Sequence, residues 1–371
     1  MTMLQSEANF TNTNPPPVIG PAKGRQRIEE LIAKGRNKAL SVIDHVSKLQ
    51  PTDRIVKVEK LSFELEDHVI QVTIPGKEDI TETVHHNALQ QASEKAGIPW
   101  KFAGMLQARG DWGIELLASN LNELLGHNKD RALTRSVNGQ MRGFLSDRYK
   151  RLDSRPLVDS FAKSCAAVGA LPYEGYVTDT KVGLQAIIPR VYEPIPNEIM
   201  AYGVNFENSD FGNGALDISF FMLRLVCLNG MIGESSLRKV HLGRRLDDDL
   251  DYSKKTHELD QKTIVSAVGD MVRGQLGEGR IDKMQAFIKA SFDNKLDDKK
   301  RESTMEVLKQ YLNKGEVDKM MKKFNEPDVE LLPPGNNMWR MSNALSWLAG
   351  EQEDAERTLE MQRLAGKLLV Q

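Results

Sequence analysis

The stretch Arg131–Arg151, RALTRSVNGQMRGFLSDRYKR, decides how this chain is read. Asn138-Gly139 lies between two β-prone runs, and a two-residue type I′ turn needs φ > 0 at both central positions, which Asn and Gly tolerate best. With that turn, Val137 is expected opposite Gln140, Arg135 opposite Arg142 and Leu133 opposite Phe144. Two arginines directly opposed across a sheet repel, so either an anion lies between them or carboxylates neutralise them. From Arg131 to Arg155 seven basic residues (Arg131, Arg135, Arg142, Arg148, Lys150, Arg151 and Arg155) stand against two acids, Asp147 and Asp153. Guanidinium forks match phosphate oxygens in pairs, and phosphate contacts dominate nucleic-acid affinity. The competing reading is internal: Asp130, Asp147, Asp153 or an acid from elsewhere pairs with the same cations. Sequence leaves both open.

Working outward, the flanks predict an α+β fold, a mostly antiparallel sheet with helices packed on one side, plus a C-terminal helical region. Residues 1–24, polar and rich in Pro, read as a disordered tail without a signal-peptide apolar core. Residues 25–128 read as an N-terminal helix, a hairpin and further helices. In the first helix Ile28, Leu31, Ile32, Ala39, Val42, Ile43 and Val46 recur at helical spacing. Its polar side carries Lys23, Arg25, Arg27, Lys34, Arg36 and Lys38, a solvated face in the ordinary case. A turn at Glu66-Asp67-His68 makes a hairpin of 55–74, and helices follow at 86–95 and 112–125. Residues 129–257 read as the central sheet domain, with a helix near 156–168, strands at 173–178, 181–188 and 199–206, a polar loop at 207–214 and an apolar run at 215–227. From 258 to 371 the pattern is helical, with Trp339, Asn343 and Trp347 on one helical face.

Bulk properties narrow the function. The 371 residues carry a net charge of −2, 40% hydrophobic and 27% charged residues, so affinity for a polyanion must come from local patches. No apolar window is long enough for a membrane span. Cys165 and Cys227, each in an apolar stretch, read as buried reduced thiols of a cytoplasmic protein. No P-loop, dinucleotide fingerprint, zinc spacing or paired-histidine motif occurs, so no cofactor, no metal and no catalytic residue are expected. A second basic group, Arg238, Lys239, Arg244 and Arg245, runs straight into Asp247, Asp248, Asp249 and Asp251, a pattern of surface charge alternation. Among the aromatics that could stack on unpaired bases, Tyr149 and Phe211 sit in polar stretches and are expected to be the most exposed.

Several short motifs resemble a phage/plasmid-like family of unknown function found in prophages and plasmids. They are Gly143–Tyr149 followed by Leu152-Asp153, Asn208-Ser209, Leu225–Asn229, His241, Trp339 with Asn343 and Ala344, and the closing run Ala365–Leu369. The helix at His86–Ala96 with Gly97-Ile98-Pro99 also fits, so the resemblance spans residues 80–371. The N-terminal extension departs from it, as does the residue after His241, where a threonine belongs. The resemblance implies a mobile-element setting in the bacterial cytoplasm or an infected cell, and no catalytic residue.

Together these features predict a DNA-binding protein, more for single than for double strands, acting as an ATP-independent annealing or recombination factor and as a homo-oligomer. The expected contacts are Arg131, Arg135, Arg142, Arg148, Tyr149, Lys150, Arg151, Arg155, Arg238, Lys239, Arg244 and Arg245. One alternative is a non-enzymatic protein-binding assembly or host-takeover factor whose arginines pair internally. A second is a metal-dependent nuclease or hydrolase with scattered acids.

Overall fold

A computed structural model describes residues 19–149, 151–235, 254–326 and 332–370. Helix α1 (Pro21–Lys48) begins inside the stretch expected to be a tail. Pro21 suits the first helical turn, where no N–H partner is required, and Gly24 lies against Ile199, Val191 and Leu225.

The first sheet collects β1 (Thr52–Lys57), β2 (Ser62–Glu66), β3 (Val69–Ile74) and β4 (Ile80–Val84). Asp67 and His68 take φ of 50° and 66° at the β2–β3 turn. Helices α2 (His86–Lys95), α3 (Trp100–Gln107) and α4 (Asp111–Gly126) follow, then β5 (Arg131–Val137) and β6 (Gln140–Ser146). The strand order is β1-β5-β6-β4-β3-β2. All pairings are antiparallel except β4 with β6. The Asn138-Gly139 hairpin thus belongs to the N-terminal sheet and not to the central one. Its apolar side explains why: Ala132, Met141 and Phe144 join Val56, Phe63 and Val72 against Ala88, Leu117 and Leu121 of the helices.

The second sheet follows α5 (Ser154–Ala167) and comprises β7 (Leu171–Val177), β8 (Lys181–Ile187), β9 (Tyr192–Ile195), β10 (Glu198–Ser209), β11 (Asp217–Arg224) and β12 (Asn229–Ser235). Its order is β12-β11-β10-β8-β7, with β9 paired to β10. Every residue of β11 is buried, and so is every residue of β10 except half-buried Glu207. Such strands need cover on both faces, where helices on one side were expected. The cover comes from α1, α5 and the C-terminal helices α6 (Lys254–Leu276), α7 (Glu278–Asp293), α8 (Asp298–Leu308), α9 (Lys314–Asn325), α10 (Met338–Gly350) and α11 (Ala355–Leu368). On one face Val204, Phe206 and Ile218 meet α5 and α6, and Met200, Tyr202, Phe220 and Met222 meet α7 and α10. On the other, Ile199, Ala201, Phe221 and Leu223 meet Ile28 of α1 and Leu359 of α11. The architecture is α+β with a C-terminal helical region, and among the described residues no helix is long and apolar enough to cross a membrane.

Helix α1 runs along β7, an edge strand whose unpaired backbone would otherwise invite another chain. The approach is close: a Cβ at Gly35 would lie 1.9 Å from the Tyr173 carbonyl oxygen. In α10, Trp339 and Asn343 are fully buried, and Arg340 donates to the carbonyls of Phe324, Pro333 and Glu326.

The cysteines differ. Cys165 is buried, and burial pushes its thiol up to about 12. Cys227 is half-exposed beside Arg27 and Lys34, and its sulfur accepts from Arg224 at 3.3 Å. It is therefore not the buried thiol expected. Alkylation needs an accessible thiolate, so iodoacetamide at pH 8 should add one label to the native chain, at Cys227, and two after denaturation. Peptide mass spectrometry reads the position; labelling of native Cys165 would contradict its packing.

Candidate functional site

The central turn forms as the sequence predicts. Asn138 and Gly139 take φ of 52° and 76°, and Val137 pairs with Gln140. Ser136 still faces Met141 in the expected register, but between Ser136 and Arg135 the register shifts, and Arg135 faces Gly143. A β-bulge at Arg142 inserts one extra residue and re-aims the side chains beyond it. Arg135 and Arg142 are therefore not opposed, and Leu133 faces Leu145 while Thr134 faces Phe144.

Arg135 lies inside the protein, with its side chain 2% exposed. Its Nε donates to Asp53 Oδ1 at 2.8 Å, one terminal nitrogen to Asp153 Oδ1 at 2.7 Å and the other to the Asp210 carbonyl at 2.8 Å. Asp53 is its cross-strand partner on β1. Asp153 precedes α5, and Asp210 follows β10. One guanidinium thus ties the first sheet to two segments of the second unit. Burial opposes its charge, but the Asp153 bond and the fields of Asp153, Asp53 and Asp210 outweigh this, leaving it above the ordinary arginine range. The expectation that Arg135 meets an external phosphate is corrected: its anions are supplied by the fold.

The neighbours complete the joint. Asp153 occupies the N-cap position of α5 but does not cap it. Asp210 instead accepts from the Ser154 N–H at 2.7 Å and its hydroxyl at 2.9 Å. Burial raises the Asp210 carboxyl, against these bonds and the Arg135 charge. Asn208 donates to the Leu152 carbonyl at 2.8 Å and to Ser154 Oγ at 2.9 Å. The segments Gly143–Tyr149, Leu152-Asp153 and Asn208-Ser209, separate in sequence, meet at this joint. Phe211 is 1% exposed, contrary to its expected exposure. Its polar neighbours turn inward: its carbonyl accepts from Asn87 and Gln91, and its N–H donates to Ser209.

The remaining predicted contacts divide. Arg142 is largely buried, donating to Gln140 Oε1 at 3.0 Å and the Asp179 carbonyl at 2.9 Å. Tyr149 is half-buried, and burial raises its hydroxyl. Arg131 is exposed, with Asp147 no nearer than 3.8 Å. Arg148 and Arg155 are exposed, and so is Arg151, whose Nε reaches Asp53 Oδ2 at 3.0 Å. Lys150, Arg238, Lys239, Arg244 and Arg245 lie outside the described residues, as do His241 and the Asp247–Asp251 acids. On α1, Lys23, Arg25, Lys34, Arg36 and Lys38 are exposed, and Lys38 pairs with Glu174 at 2.7 Å.

Sequence reasoning missed a second polar cluster. Glu207 and Asp217 face each other across β10 and β11, an opposition that repels unless a cation intervenes. Arg363 of α11 supplies it, donating to Glu207 at 2.6 Å and also to Asp217. Asn205 donates to Glu207 at 2.8 Å, and Ser219 to Asp217 at 2.7 Å. This is the arrangement foreseen at Arg135 and Arg142 with the signs reversed and the counter-ion internal. Among the described residues no group of three or more His, Cys, Asp or Glu is placed to hold a metal ion.

Comparison of the chain with models of known protein families, with curated proteins and with solved structures returned no match.

Proposed function

We propose that the chain is a DNA-binding protein of the phage or plasmid type, an ATP-independent single-strand annealing or recombination factor that acts as an oligomer in the cytoplasm. The observation that carries this reading is the division of charge around Arg135. Asp53, Asp153 and Asp210 bond Arg135 and Ser154 and Asp53 also meets Arg151, while Arg131, Arg148, Arg151 and Arg155 all keep exposed surface. Arg155 also lies in the first turn of α5, where the helix dipole disfavours a cation and favours an anion brought to it. Tyr149, half-buried and lying in sequence between these arginines, is the aromatic side chain that stacks on a base in this reading. The mobile-element setting rests on the resemblance whose motifs at 143–149, 152–153 and 208–209 converge here. Annealing needs no nucleotide hydrolysis, because base pairing supplies its free energy.

Fluorescence anisotropy with a labelled oligothymidine strand tests the reading. Binding is expected at low salt and should weaken steeply as salt rises. Replacing Arg148, Arg151 and Arg155 together by Ala should weaken it on the order of 10-fold or more and flatten the salt slope by roughly 2. Undetectable binding at low salt, or binding indifferent to the triple substitution, refutes the assignment. Cleavage of the strand on adding magnesium would point to a nuclease instead.

A further inference from the structure

We infer that Lys57 and Arg131 form a second phosphate position, which takes the backbone of a bound nucleic-acid strand at the opposite end of β1 from Arg151. The inference rests on the DNA-binding reading above and deepens it by one site.

The opposition of cations expected at Arg135 and Arg142 occurs one strand over. Lys57 on β1 lies directly across from Arg131 on β5, and both are exposed. The Val58 N–H donates to the Asp130 carbonyl at 3.0 Å, which makes 58 and 130 a hydrogen-bonded pair and 57 and 131 the adjacent pair without such bonds. In a pair of that kind the Cα atoms approach to about 4.5 Å and the side chains lie closest. Like charges placed so destabilise the sheet unless an anion joins them.

The acids nearby are spent elsewhere. Asp147 follows β6, on the far side of β5 from Lys57. It stands 3.8 Å from Arg131 and offsets one charge of the two. Glu59 pairs with Lys129, and Asp130 with Lys95 at 2.9 Å. The Lys129 bond, with the fields of Lys129, Lys57 and Lys60, holds the Glu59 carboxyl below its ordinary range. The Lys95 bond does the same for Asp130, with Asn128 and the field of Arg148 in support. Six cations (Lys57, Lys60, Lys95, Lys129, Arg131 and Arg148) thus surround three acids. Among the described residues neither Lys57 nor Lys60 has an acid within ion-pair distance.

The spacing selects the ligand. Lys57 shares its sheet face with Asp53, and Arg131 with Arg135, because each pair is an even number of positions apart. Arg151 reaches Asp53 at the other end of β1. Four strand residues, roughly 14 Å, separate the two ends, about four nucleotides of stacked strand at roughly 3.4 Å each. A phosphodiester strand can meet both ends, and a single small anion cannot.

Two measurements on the full chain test the inference. Because the two cations repel, Lys57→Gln should raise the urea midpoint at low salt, and the gain should vanish near 1 M salt, where the Debye length is about 3 Å. The same substitution should weaken oligothymidine binding on the order of 5-fold at low salt and flatten the salt slope by about 0.7, the share of one single-strand phosphate contact. Arg131→Gln should weaken binding similarly, and the double variant should lose less than the product of the two losses, because one phosphate is shared. A midpoint that does not rise means an internal acid neutralises the pair, and overturns the inference. So does an unchanged slope. If binding in that case still falls on replacing Arg148, Arg151 and Arg155, the DNA reading stands without the second position. A parent protein that binds no strand overturns both. Should it instead be stabilised by tripolyphosphate through Lys57, the pair belongs to a small phosphate and the strand assignment falls.

Discussion

Arg135→Met should lower the unfolding free energy by about 3–5 kcal/mol, the cost of breaking a buried ion pair from one side. The guanidinium is 2% exposed and bonds Asp53, Asp153 and the Asp210 carbonyl. Methionine fills part of the space but leaves these acceptors unmet. Asp53 and Asp153 are partly solvated, so water recovers some of the loss and favours the lower end of the range. Asp153→Asn should cost less, because it removes one charge and keeps a hydrogen-bonding side chain. A double-mutant cycle between the two positions, followed by urea unfolding, should return a coupling energy of about 1–3 kcal/mol. An Arg135→Met protein as stable as its parent would mean the joint holds nothing. Under the proposed DNA-binding reading, the substitution should change oligothymidine binding only through the unfolded fraction, unlike substitution of the exposed arginines beside it.

Gly35→Ala should destabilise the chain by about 2 kcal/mol, although alanine is the better helix former. Propensity alone favours alanine in a helix interior by about 1 kcal/mol. At Gly35, however, the new methyl would sit 1.9 Å from the Tyr173 carbonyl oxygen, a backbone atom of β7 that cannot rotate away. Helix α1 must then lift from the sheet edge, and overpacking of this kind costs about 3 kcal/mol at the upper end. Gly104→Ala supplies the opposite sign. It lies in α3 with nothing within 4 Å of its would-be Cβ, so it should stabilise by about 0.5–1 kcal/mol. Urea midpoints of the two variants should move in opposite directions. A stabilised Gly35→Ala protein would show that α1 does not lie on β7 in solution.

Local signals in the sequence were sound where one residue type determines the backbone. Asn138-Gly139, the Asp67-His68 turn and the helix stripe at Ile28, Val42 and Val46 all stand where they were expected. Failures came from pairings made across distance. Gly143 is the only local hint of the bulge at Arg142, and that single extra residue separated Arg135 from its expected neighbour. Asp53 became the partner because β1 pairs with a strand some eighty residues later, a register no local pattern encodes. Phe211 was misjudged because its own carbonyl bonds Asn87 and its polar neighbours Ser209 and Asp210 bond Asn213 and Ser154, so a hydrophilic stretch was read as a wet one. Helix α3 was overlooked because eight residues between Pro99 and Gly110 give too few turns for a periodic signal. The Glu207–Arg363–Asp217 cluster joins residues about 150 positions apart, and its members look like ordinary surface charges in the sequence.

The placement of α1 also bears on how the chain is made. Its contacts are with β7, with Ile199 on β10, and with the carbonyls of Leu225 and Val226, to which Arg27 donates. None of these exists when the helix leaves the ribosome. At 5–20 residues per second, roughly 10–35 s separate synthesis of α1 from synthesis of residue 226. Throughout that interval Ile28, Val42 and Val46 lack their native cover, and the first sheet can close, once Ser146 has emerged, without them. The first helix among the described residues is therefore among the last to dock, and a nascent-chain chaperone has a long opportunity to bind it.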